Sequence, residues 1–325
     1  MKKFLLAFLL VSSLLLFSVS MFAVAEKTDF KGVFITVSTD QPGGGWYPFG
    51  GALSILWQKY LPGLNVTVQS SAGGYANLGL LEQKKIDIGF TNPDMAYYRY
   101  EGIKTFEGKP PYEDMRNLFN IIQGFTHIVV PQNSTIKTPF DFKGKKFGMP
   151  ELSAASNIRI QAIFKAYGLK EEDMTYFRGS EEDNVEALKD GIIDVTLIPM
   201  YLGGATMMDL ITANHCKLIP VDGIYRDAIL AEHPYYTPGV IPKEVYGTSE
   251  DCETFGNYGF LAVDASMDED IAYTLTKTYY EHLDEVKAMY PAAKYLSIEK
   301  GVSSVITVPL HPGSEKYFKE MGVIK

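Results

Sequence analysis

Between Val33 and Asp94 the chain alternates β-type and helical patterns three times, and this alternation restricts its fold more than any other feature. Val33-Phe34-Ile35-Thr36-Val37-Ser38 is β-rich and runs directly into Gly43-Gly44-Gly45-Trp46-Tyr47. Pro48 is predicted at the first helical position, where proline is tolerated. Phe49, Leu53, Leu56, Trp57 and Tyr60 then fall on one helical face, which Pro62-Gly63 ends. Leu64–Gln69 reads as the next strand, followed by Ser70-Ser71-Ala72-Gly73-Gly74 and a helix through Leu78 and Leu81. Ile86–Phe90 is a third strand, and Thr91-Asn92-Pro93-Asp94 starts a third helix. Strands alternating with helices predict an α/β fold with a mostly parallel sheet and helices on its faces.

A second series follows. Lys146–Met149 reads as a strand, a helix from about Ser153 to Tyr167 ends at Gly168, and Met174–Phe177, Glu181–Lys189 and Ile192–Ile198 complete it. The two series share a pattern: Leu81, four residues, Ile86-Asp87-Ile88 matches Leu188, four residues, Ile193-Asp194-Val195. Two α/β lobes are therefore expected. The apolar runs 118–131 and 254–264 are placed to cross between them, and the tail is predicted as a helix near Glu269–Met289 and a late strand Val305–Val308.

The N-terminus carries a secretory pattern. Lys2 and Lys3 precede an apolar stretch, Phe4 to Phe17, and Ala23-Val24-Ala25 forms an A-x-A site, so residues 1–25 are expected to be a signal peptide cleaved after Ala25. No cysteine lies near that site to carry a lipid, and no other segment has the roughly 20 apolar residues of a membrane span. The cleaved protein is thus expected outside the cytoplasm, in the periplasm, and not membrane-spanning. A formal charge of -9 with no basic run argues against nucleic acid as a partner. Cys216 and Cys252 are too few for a disulfide scaffold or a four-Cys zinc site; one disulfide and two thiols both stay open.

Ligands of such sheets collect where strands lead into helices. Gly44 and Gly45 expose backbone N–H groups, with Trp46 and Tyr47 beside them. Ser70, Ser71, Gly73, Gly74 and Asn77 make a second polar loop, and Thr91 and Asn92 a third, with Tyr97 one turn into its helix. Tyr75 is a further candidate wall residue. Each loop alone reads as a tight turn; three in register favour a crevice. No G-x-x-x-x-G-K-[ST] or G-x-G-x-x-G points to a nucleotide, and no G-x-S-x-G or H-E-x-x-H points to catalysis. His127, His215, His233, His282 and His311 are scattered, so neither metal nor cofactor is expected, and Glu181-Glu182-Asp183 reads as a solvated helix start.

Gly43–Leu53, Ser71–Leu78, Ile86–Phe90, Asp141–Lys146 and Pro309–Ser314 with Tyr317, Glu320 and Gly322 resemble, in order, the motifs of the TAXI solute receptors. These are extracytoplasmic binding subunits of tripartite ATP-independent periplasmic (TRAP) transporters. The resemblance implies a non-enzymatic receptor with a two-lobed, type II-like periplasmic binding protein fold. The lobes would be 26–124 with 254–325 and 125–253, joined by crossover strands. It implies capture of a small organic anion, an acidic amino acid such as glutamate or a dicarboxylate, for an ion-gradient-driven TRAP permease. A sensory module and a secreted hydrolase are the competing classes. Two departures stand out. Trp46 replaces a small hydroxyl residue, and the second-lobe loop reads Pro150–Asn157 where the family has P-G-S-G-T. Ser153, Ser156 and Asn157 supply polar groups there; Glu151 is unwelcome beside a carboxylate. Arg159 either pairs an acid bidentately or faces outward on its helix.

Overall fold

The computed structural model describes residues 29–42, 45–150, 156–213, 215–302 and 307–325. The expected signal segment, Gly44, Ser153 and the start of the strand expected at Val305–Val308 lie outside the described residues. Chain order runs β1 (Phe34–Ser38), α1 (Trp46–Tyr60), β2 (Asn65–Gln69), α2 (Gly74–Glu82), β3 (Ile88–Thr91), α3 (Pro93–Glu101) and the long β4 (Met115–Pro131). The second series is β5 (Lys146–Met149), α4 (Ser156–Ala166), β6 (Thr175–Arg178), α5 (Glu181–Lys189), β7 (Val195–Tyr201), α6 (Ala205–Thr212) and β8 (Cys216–Ile219). It continues through α7 (Gly223–Glu232), β9 (Thr237–Ile241) and α8 (Lys243–Tyr246). The long β10 (Cys252–Asp264) and helices α9 (Glu269–Glu281), α10 (Leu283–Met289) and α11 (Pro312–Glu320) close the chain.

The strands share one curled sheet in the order β2-β1-β3-β10-β4-β7-β5-β6. Within each lobe the first strand pairs in parallel with the next two, β1 with β2 and β3, β5 with β6 and β7. Each third strand then meets a long strand antiparallel, β3 with β10 and β7 with β4. The long strands pair with each other between Met115–Asp264 and Phe125–Gly256, so both pass from one lobe into the other. The fold is the expected two-lobed α/β architecture with crossover strands.

The short sequence match between the lobes is a structural repeat. Asp87 accepts the Thr36 backbone N–H at 2.7 Å, and Asp194 accepts that of Lys146 at 2.8 Å. One helical stretch earlier, the buried Asn77 donates to the carbonyls of Thr39 and Phe90, and the buried Asn184 to those of Met149 and Ser180. The same polar staples hold a helix to the carboxyl end of a first strand in both lobes, where ladder bonds run out and orphan carbonyls need donors.

Three local expectations shift. Helix α1 begins at Trp46, so Pro48 is its third residue; its missing N–H is still among those without an intrahelical partner. The tail helix is divided at His282, whose φ of −119° leaves the helical range. Thr307 and Val308 are bends, and Leu310 forms only an isolated bridge with Asn117. Phe49, Leu53, Leu56 and Trp57 are fully buried, and the Trp57 indole donates to the Leu275 carbonyl at 3.0 Å, docking α9 on the first lobe.

Cys216 and Cys252 are buried free thiols on β8 and β10, and burial pushes them up to about 11 and about 12. Both should resist a thiol reagent in the native protein and react fully in denaturant; a native disulfide would leave denatured protein unlabelled until reduced. Asn77→Ala removes a buried donor that the Thr39 and Phe90 carbonyls share, and although Thr39 keeps the Ser71 hydroxyl, stability should fall by about 1–3 kcal/mol in urea unfolding.

Candidate functional site

A cavity of about 450 Å³ opens where the crossover strands pass between the lobes. That size suits a small organic molecule. Its floor comes from alternate residues on one face of each strand, Ile122 and Gly124 on β4 and Asn257 and Gly259 on β10. Gly124 lies directly across from Asn257, and the register shifts on either side of Phe260, next to Gly259. Such bulges bend a strand and re-aim its side chains. From the first lobe, the loop after β1 brings Asp40, Gly45 and Trp46, and the start of α3 brings Asn92 and Asp94. The second lobe faces them with Ser156 and Arg159 of α4, Glu181 at the start of α5, and Pro199, Met200 and Tyr201 at the end of β7.

Arg159 organises the second wall. The residue is 6% exposed, and its guanidinium donates to Thr126 Oγ1 on β4 at 3.0 Å and to Asn257 Oδ1 on β10 at 2.7 Å. The Tyr236 ring lies 5.5 Å away as a cation–π partner. Arg99 and Arg226 are held in ion pairs, but among the described residues the hydrogen-bond partners of Arg159 are both neutral. Of the two placements open from sequence, the structure has Arg159 facing inward. Beside it, Asn257 Nδ2 is buried with no hydrogen-bond partner among the described residues.

The first wall carries the opposite charge. Asp94 is 2% exposed and accepts the Met95 N–H at 2.8 Å. Burial raises its carboxyl above the usual range while the Arg159 charge pulls it back. Asp40 accepts the Trp46 N–H at 3.2 Å through Oδ2, and its Oδ1 is buried without a partner among the described residues. Burial raises this carboxyl too, against the backbone N–H bonds at the start of α1. Glu181 is exposed to the cleft, yet desolvation by the surrounding protein, helped by Glu182 and opposed by Arg159, pushes it up to about 7.

Of the residues singled out from sequence, Gly45, Trp46, Asn92, Ser156 and Arg159 meet at this cavity. Tyr47, Ser70, Ser71, Gly73, Gly74, Asn77, Thr91, Tyr97 and Asn157 are not among its lining residues. Ser71 bonds the Thr39 carbonyl and caps Gly73, so its hydroxyl serves the turn. Gly74 packs against β3 so closely that a Cβ would stand 2.9 Å from Thr91 Oγ1. Tyr75 stacks on Phe106 instead of walling the cavity. Sequence reasoning missed Asp40 and Asp94 as site residues, although Asp94 sits in a loop it had marked and Asp40 just before one, and read Glu181 only as a helix start.

Other chemistry is sparse. His127 is buried between the Phe125 carbonyl and the Tyr246 hydroxyl, and burial lowers it to about 4, so it is neutral. Among the described residues no group of three or more His, Cys, Asp or Glu side chains is arranged to hold a metal, and no helix is long and apolar enough to cross a membrane. A smaller cavity of about 220 Å³ beside Phe125, Leu202 and Tyr258 has one charged lining group, Lys300, which already donates to the Tyr295 carbonyl.

Residues 37–322 match the model of the NMT1-like family. In fold the chain is similar to a TctC solute binding protein from Polaromonas, at 14% identity over 90% of this chain and 98% of that one, with a TM-score of 0.56. It is likewise similar to a putative sulfonate ABC transporter's periplasmic sulfonate-binding protein SsuA from Methylobacillus flagellatus, at 14% identity over 90% and 96% of the two chains and a TM-score of 0.55.

The raised Glu181 carboxyl gives a test of the site's electrostatics. The folded state holds this proton more tightly than the unfolded state, so the group's contribution to stability falls as pH rises from about 4.5 to about 7. Glu181→Gln should therefore gain in melting temperature relative to the parent between about pH 5 and about pH 8. A difference that stays flat with pH would show an unperturbed carboxyl.

Proposed function

The chain belongs to the NMT1-like family, and from that premise we propose that it is a periplasmic solute-binding receptor. Its ligand is a small organic anion, an acidic amino acid such as glutamate or a dicarboxylate, held between the lobes. We assign 26–124 with 254–325 to one lobe and 125–253 to the other. Closure of the lobes about the crossover strands would seal the cavity from water. The observation that carries the reading is Arg159: a buried guanidinium, fixed on both crossover strands by neutral partners, faces a ligand-sized cavity. Among the described residues no carboxylate pairs directly with this buried guanidinium, a costly arrangement, and a ligand carboxylate supplies the missing partner with the bidentate geometry arginine favours. Asn257 Nδ2 stands ready as a further donor.

The receiving partner in this reading is an ion-gradient-driven permease of the TRAP type. Support comes from the resemblance of the Gly43–Leu53 and Pro309–Ser314 runs to those of TAXI receptors. In this reading Tyr201 makes a contact across the cleft: it reaches from the end of β7 to Gly45, where a Cβ would come within 2.9 Å of its ring, and to Tyr290, which itself donates to the Gly45 carbonyl.

Protein comprising residues 26–325, purified without refolding and then gently unfolded, should release a carboxylic acid detectable by mass spectrometry. Calorimetric titration with the acid recovered should give tight binding that EDTA leaves unchanged. Arg159→Ala should weaken it about 10- to 100-fold for each charged hydrogen bond lost. Wild-type affinity in a correctly folded Arg159→Ala protein would refute this assignment of the site.

A further inference from the structure

The cavity's charges are segregated, and the segregation says more about the ligand than Arg159 alone. We propose that the ligand is a zwitterion of the α-amino acid type, its carboxylate on Arg159 and Asn257 and its ammonium between Asp94 and Asp40, rather than a dicarboxylate; this rests on the cavity being the solute site.

The acceptors on the first-lobe wall are unusual in having so little to accept. The Asp94 side chain is almost fully buried, is supplied among the described residues only by backbone N–H groups of Met95 and its own residue, and lines the cavity. Other buried or half-buried carboxylates of this chain are supplied with donors: Asp264 takes the Tyr112 hydroxyl, the Ser266 hydroxyl and the Lys84 ammonium. Asp40 adds a second acceptor, Oδ1, buried and unpartnered among the described residues. Arg159 is near enough for its charge to act on Asp94, yet the two form no ion pair. A buried guanidinium and a buried carboxyl that face one cavity without touching leave a gap with a donor end and an acceptor end. An α-amino acid carries the complementary pair on a single carbon.

Charge balance points the same way. Asp40, Asp94 and Glu181 line the cavity with Arg159 as the cation set against them. A dicarboxylate would satisfy the guanidinium with one end and bring a second negative charge towards three carboxyl groups. At the few ångströms available, like-charge contact in a partly desolvated site is strongly unfavourable. An ammonium group instead gives Asp94 and Asp40 the donors they lack, and a site built to hydrogen-bond a group rejects the analogue that lacks it.

The test compares two sets of probes on the unmodified protein, freed of copurified ligand: the standard L-amino acids, and the same acids with the amino group replaced by hydrogen. Thermal shift screens both sets, and calorimetry measures the hits. At least one amino acid should bind, and its deaminated counterpart should bind at least about 10- to 100-fold more weakly. Asp94→Asn, which keeps the side-chain shape, should weaken the amino acid by a similar factor and narrow the gap between the two probes. A purely structural role for Asp94 would lower both affinities together and leave the ratio unchanged. Equal binding of an amino acid and its deaminated partner, binding confined to the deaminated acids, or silence from both sets overturns the zwitterion. If the acid that binds still depends on Arg159, the receptor reading survives that result; if Arg159→Ala leaves its binding intact, the reading of the cavity fails with it.

Discussion

Every feature of the cleft depends on the antiparallel pairing of β4 with β10. Each strand is long enough to belong to both lobes, and their shared ladder from Met115–Asp264 to Phe125–Gly256 is the spine on which the parallel sheets are hung. Backbone hydrogen bonds cannot be left unmade in such a buried place, so the register of this pair decides which side chains share a face. It sets Gly124 opposite Asn257 and puts both at the cavity. It also places Thr126 and Asn257, from different strands, within reach of one guanidinium. Arg159 therefore acts as both a cross-strand clamp and the positive wall of the site. Its helix could not have been positioned to do this on a sheet without shared strands.

The repeated polar staples give this spine two similar lobes. Asp87 and Asp194 fix the start of each third strand to the first, while Asn77 and Asn184 hold helices to the carbonyls at first-strand ends. These bonds fix where the loops leave the sheet, and thus where Asp40 and Asp94 meet the second lobe. The lobes diverge in what they bring to the cleft. One contributes carboxylates and Trp46, the other a guanidinium, Ser156 and Tyr201, with Glu181 at its edge.

The alternation of elements was legible because strand and helix periodicity are local, and so was the repeat, because Leu81-Ile86-Asp87 and Leu188-Ile193-Asp194 answer the same packing need. Trp46 and Asn92 were legible as site candidates through their place at loop–helix junctions, and Arg159 through its capacity to pair an acid, although the sequence left its facing open. The polar residues Ser71 and Asn77 looked equally suitable, but orphan carbonyls of Thr39 and Phe90 compete for their donors. Sequence cannot reveal that competition, since it depends on which carbonyls the sheet leaves unpaired. The acidic residues failed to signal for the opposite reason. A carboxylate at a helix start has an ordinary explanation in the helix dipole, and only the approach of the opposite lobe makes Asp94 and Glu181 part of a cleft.

The central claim is that a charged ligand binds between the lobes, against the crossover strands. A crystal structure of the protein carrying its copurified ligand tests this most directly. The account predicts ligand density bridging Arg159 and the first-lobe carboxylates, with one end against the guanidinium and Asn257 and the other towards Asp94 and Asp40. Density in the smaller cavity beside Phe125 and Tyr295, or on the Ser70–Gly74 loop with the cleft holding only water, would contradict it.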